Sequence, residues 1–103
     1  MHGIRMAADI ISKEKLDKEM ERTEKSLNTI KIAIPKNGAL YDVAMDVFNV
    51  VESYIKDAKY FRDSGDFVNS FGSLYYAYGW MDCGVRLGIF DGGNDYKNFT
   101  HYR

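Results

Sequence analysis

The chain has little cysteine, histidine, proline or tryptophan: one Cys, two His, one Pro and one Trp in 103 residues, and the scarcity removes whole classes of function. A single cysteine, Cys83, excludes an internal disulfide and a cysteine zinc site, and it fits a reducing compartment. His2 and His101 fall in the two terminal segments, where a surface role is expected and neither is placed as a general base or half of a metal site. No Glu-x-x-His pair is available for a carboxylate-bridged metal centre, and no glycine-rich phosphate loop follows a strand. No apolar run approaches the roughly 18 residues of a membrane span, and the N-terminus lacks the apolar core of a signal peptide. A net charge of -1 gives no polyelectrolyte signature, so nucleic acid is not an expected partner. These absences predict a soluble, cytoplasmic protein with no cofactor, no metal, no membrane association and no enzyme signature.

What is present is apolar and helical. A hydrophobic fraction of 46% with 15% aromatics suffices for one core, and the length suits one domain. Residues 1–11 lack a clear period and read as a flexible N-terminal tail. Ser12 is a candidate N-cap, and Leu16, Met20, Thr23, Leu27, Ile30 and Ile34 then recur in steps of four and three along a first helix. Lys and Glu alternate on its other faces, as on a solvated surface. Pro35 and Gly38 bracket a turn. A second stripe runs from Leu40 through Ala44, Val47, Phe48, Val51, Tyr54, Ile55 and Ala58 to Phe61, and Gly65 ends it. Asp66 can cap a third helix over Phe67–Leu87, so the short link forces an antiparallel hairpin. Gly88 stops that helix, and 91–103 reads as a C-terminal tail. The expected architecture is all-α: an up-and-down three-helix bundle over residues 12–90.

The third helix is the informative one. Gly72, Gly79 and Gly84 lie inside it, and each interior glycine costs about 1 kcal/mol relative to alanine unless close packing compensates. Projected at 100° per residue, its apolar and small residues occupy two faces. One bears Leu74, Ala77, Met81, Gly84, Val85 and Gly88; the other bears Val68, Gly72, Tyr75, Gly79, Asp82, Cys83 and Arg86. This arc predicts burial on more than one side, with Cys83 as a small core residue and a homodimer interface as the simplest cover. The alternative cover is the C-terminal aromatics Tyr96, Phe99 and Tyr102 folding back. Asp82 and Arg86 have the spacing of a helical ion pair. On a buried face the pair would fix helix register. A sharper reading places Tyr75, Asp82 and Arg86, with Asp57 at the border of the second stripe, around a polar pocket for a small anion.

A family resemblance rests on the same two helices. Tyr54-x-x-Asp57-Ala58-x-x-Phe61-x-x-x-Gly65-Asp66, then Phe71, then the run Tyr76-Ala77-Tyr78-Gly79-Trp80-Met81-Asp82-Cys83-Gly84-Val85-Arg86-Leu87-Gly88, resembles the signature of the archaeal domain-of-unknown-function 357 family. The likeness covers about a third of the chain. It implies a short helical-bundle protein of archaea with no assigned activity, and it carries over onto Asp57, Gly65, Asp66, Tyr76, Gly79, Asp82, Gly84, Arg86 and Gly88. Tyr78 stands where the family pattern commonly has histidine, which argues against a role needing an imidazole there; Cys83 stands where alanine is common.

The function expected from the sequence is a non-enzymatic self-association or protein-interaction module. Its candidate contact residues are Asp57, Tyr75, Tyr76, Gly79, Trp80, Asp82 and Arg86, and its partner is a second copy or another protein. The competing expectation is a small-molecule or nucleotide-binding domain with a polar pocket near Asp82 and Arg86.

Overall fold

Three helices and one two-stranded clip make up the computed structural model, which describes residues 10–93 and Phe99. Helix α1 spans Lys13–Thr29, strand β1 Lys31–Ile32, α2 Tyr41–Asp63, α3 Phe67–Leu87 and strand β2 Phe90–Asp91. The expected three-helix, up-and-down bundle is what the chain forms. Its caps are those the residues suggest. Ser12 Oγ accepts from the Lys15 N–H at 3.1 Å, and the Asp66 carboxylate accepts from the Asn69 N–H at 3.1 Å and the Asn69 side-chain amide at 2.7 Å. Gly65 and Gly88 both take positive φ, 84° and 83°, where an L side chain would be strained. The left-handed turn lets Asp66 and Ile89 donate back to the carbonyls of Phe61 and Gly84, satisfying helix ends that would otherwise lack partners.

The main seam joins α2 to α3, and it is built from small residues seven apart. Ala44, Val51 and Ala58 on α2 meet Gly84, Ala77 and Ser70 on α3 in antiparallel register, and all six are buried. Heptad spacing keeps them on one line along each helix, and their small volume lets the backbones approach closely. Ser70 Oγ donates to the Ala58 carbonyl at 2.6 Å, which fixes the register and satisfies a buried hydroxyl. Helix α1 packs mainly on α3, through Leu16 and Met20 against Leu74, and touches α2 far less. Thus α3 lies between its neighbours as the middle of a shallow layer.

The sequence stripe of α1 runs past its true end. Ile30 is already extended, and residues 31–32 pair antiparallel with β2, Lys31 opposite Asp91 and Ile32 opposite Phe90. Ile30 and Ile34 are four apart, which fits a helical step and equally two steps of strand alternation, so the period did not separate them. The clip brings Ile89 and Phe90 into the core with Ile30, Ala44, Ala77 and Met81. Phe99 is also buried there, stacked on Tyr78 with ring centroids 6.0 Å apart. Of the C-terminal aromatics offered as the alternative cover, Phe99 packs into the core beside Tyr78 and not over the second face of α3. Tyr96, Tyr102, His2, His101 and the expected N-terminal tail up to residue 9 lie outside the described residues.

Candidate functional site

The three glycines of α3 do different things. A Cβ on Gly84 would lie 2.3 Å from Phe90 Cδ2, so this glycine admits the Phe90 ring to the core. Among the described residues, nothing beyond the local helix backbone stands within 4 Å of a Cβ built on Gly72 or Gly79. Those two point away from the seam, on the crest of the layer, so no close packing among the described residues offsets them. Correspondingly, the second face assigned to burial is the outward face. Val68 is 65% exposed, Tyr76 53%, Tyr75 43% and Trp80 37%. Cys83 is exposed too, a correction to its reading as a core residue. The helical period recognised the arc but could not say which half of it the chain itself covers, because glycine, cysteine and tyrosine occur in both settings.

Around this crest the candidate residues fall into three groups. On the α2 side, Tyr76 packs edge-on against Tyr54 at 4.6 Å and against Trp80 at 6.4 Å. Asp57 is exposed beside this aromatic row. Desolvation raises the Tyr54 phenol above its ordinary pKa, and the neighbouring Tyr76 and the Asp57 charge push it the same way. Gly79 sits on the crest itself. On the α1 side, Tyr75 lies edge-on to Phe71 at 4.7 Å, and the Arg22 guanidinium is 6.0 Å from the Tyr75 ring and 5.0 Å from the Tyr78 ring. Lys15 Nζ is 5.7 Å from the Phe71 ring on the same edge. The sequence reading missed Tyr54, Arg22 and Lys15 as partners of the crest, because their contacts cross between helices.

Asp82 and Arg86 do form the predicted ion pair, Arg86 Nε donating to Asp82 Oδ2 at 3.1 Å. The Arg86 side chain is 59% exposed, however, so the pair is not the buried register lock that an apolar face implied. Exposed i,i+4 pairs are worth about 0.3–0.5 kcal/mol. Arg86→Ala is therefore expected to move stability by less than about 0.5 kcal/mol, a result that a denaturant titration checks directly. Asp57 lies on α2 at the level of Phe71, about 16 Å along α3 from Asp82 at 1.5 Å per residue. That distance separates Asp57 from the Asp82–Arg86 pair along the layer.

A cleft of about 620 Å³ occurs elsewhere, on the opposite side of the layer, where α1 and α2 diverge. Glu24, Asn28, Glu52, Lys56 and Lys59 line it above Leu27 and Ile55, and a Lys59–Glu24 ion pair bridges it. Among the described residues no three His, Cys, Asp or Glu side chains come together as metal ligands, and no helix is long and apolar enough to cross a membrane.

Comparison with curated proteins gives no match, and comparison with solved structures gives none. A family model matches residues 19–90, taking in most of α1, the strand clip up to Phe90 and the whole α2–α3 seam. The caps at Gly65 and Gly88, the seam glycine Gly84 and the crest from Tyr76 to Arg86 all lie inside that span, and the chain belongs to the family described as Protein of unknown function (DUF357).

Proposed function

We propose that this protein is a non-enzymatic interaction module that docks a protein surface against the outward face of α3. The observation that carries the reading is the crest: Gly72 and Gly79 open to solvent between exposed Tyr75, Tyr76 and Trp80. Interior glycines reduce helix stability, and exposed aromatics leave apolar area in water, so both are costs to the isolated chain. Both are recovered when another surface lies against the helix, because glycine admits close approach and aromatic rings supply contact area at small entropic cost. The competing pocket at Asp82 and Arg86 draws less support, since that pair stands open to solvent.

Trp80 is the single tryptophan and reports on this face without a label. In an assembly isolated gently from the host and identified by native mass spectrometry, Trp80 is expected to be less accessible to acrylamide than in the dilute chain. Gly79→Lys should keep the helical circular dichroism and remove that protection. A monomer in which Trp80 is quenched equally under both conditions would overturn the proposal.

A further inference from the structure

The two edges that flank the crest carry opposite charge. Along α1, Lys15 and Arg22 stand on the side facing Phe71, Tyr75 and Tyr78, with Glu19 paired to Arg22 and Lys15 left as the exposed cation of this edge. Along α2, Asp46 and Asp57 are eleven residues apart, three turns along one stripe, on the side of Tyr54. Lys15, Asp46 and Asp57 are exposed, and none takes part in an ion pair among the described residues. The levels of these charges also match. Lys15 lies at Phe71, and the seam register puts Asp57 opposite Phe71.

We infer that the surface docked on the crest is a second copy of this chain, related by a two-fold axis running parallel to α3. The inference rests on the docking reading above. Such an axis preserves height and exchanges sides, so the basic α1 edge of each copy meets the acidic α2 edge of the other. Lys15 then faces Asp57 of the second copy, twice per dimer. Gly72 and Gly79 meet their own counterparts on the axis and let the two α3 helices approach. The other face-to-face arrangement, with the α3 helices antiparallel, sets α1 against α1 and brings the basic edges together. Like charges across an interface are disfavoured, and the parallel arrangement satisfies both edges at once.

This geometry places Cys83 near its own counterpart, so mild oxidation of the wild-type chain is expected to give a Cys83–Cys83 disulfide dimer. Lys15→Glu turns two attractive pairs repulsive and should weaken the dimer about tenfold, as should Asp57→Lys. The double variant Lys15→Glu, Asp57→Lys should recover the dimer, and circular dichroism confirms that each variant is folded. Sedimentation equilibrium and non-reducing electrophoresis read both effects. A dimer that crosslinks through Val68→Cys with Cys83, and not through Cys83 alone, would establish the antiparallel arrangement and overturn this one while leaving the docking face in place. A charge reversal without rescue would overturn it as well. A chain that stays monomeric at all concentrations would remove the second copy as the occupant, and protection of Trp80 by a different protein would then separate that failure from failure of the docking reading.

Discussion

Alanine at Gly84 is expected to destabilise the fold, whereas alanine at Gly72 or Gly79, in the same helix, is expected to stabilise it. All three substitutions gain about 1 kcal/mol of helix propensity. At Gly72 and Gly79 the new methyl meets nothing within 4 Å among the described residues beyond its own helix backbone, so most of that gain survives. At Gly84 it would sit 2.3 Å and 2.6 Å from two carbons of the Phe90 ring. The ring is buried and lies edge-on to Phe48 at 6.2 Å, so it has little freedom to withdraw. Overpacking of this kind costs about 1–3 kcal/mol, and with ring atoms this close the upper part of the range applies, leaving a net loss of about 1–2 kcal/mol. Urea titrations of the three single variants at low protein concentration, where association does not contribute, decide the matter. A stabilised Gly84→Ala protein would mean that Phe90 does not occupy the seam.

The larger loss is expected at the other side of that contact. Phe90 is 2% exposed, and it reaches the core only because β2 pairs with β1 and Gly88 turns the chain back over the end of α3. Phe90→Ala removes a buried ring from a well-packed site and should cost about 3–5 kcal/mol. In a small domain that is a large part of the total stability, so a marked fall in melting temperature is expected. Because the two residues touch, their effects should not add. Gly84→Ala combined with Phe90→Leu should be more stable than the sum of the single losses predicts, since the shorter side chain vacates the space the methyl needs. Strict additivity in this cycle would show that the clip and the seam are energetically independent.

These two expectations connect stability to the docking face. The chain spends its close-packing glycine, Gly84, on its own core, and leaves Gly72 and Gly79 open where an alanine would hold the helix better. Stabilising substitutions on the crest should therefore leave the monomer intact while obstructing whatever lies against it. Measuring folding and association on the same Gly79→Ala protein separates the two consequences.

Local patterns in the sequence determine a great deal here. Ser12, Asp66, Gly65 and Gly88 mark helix ends through bonds to backbone groups within one turn, so the start of α1, the end of α2 and both ends of α3 follow from residue type and spacing. The heptad of Ala44, Val51 and Ala58 already marks the side of α2 that must be buried. Association with the family was legible for the same reason, because the motif from Tyr76 to Gly88 lies on one continuous helix. Only the tertiary structure decided the rest. That α1 ends at Thr29 depends on a strand partner some sixty residues away in sequence, a pairing to which the Ile30–Ile34 spacing is blind. Which glycine is packed and which is open depends on where Phe90 arrives. Likewise, the exposure of Cys83 and Arg86 is set by α3 lying in the middle of a layer, with neighbours on two sides and its crest left to solvent. The opposed charge edges arise only when α1 and α2 are laid along α3, because each edge is an ordinary solvated stripe until the fold sets one beside the other.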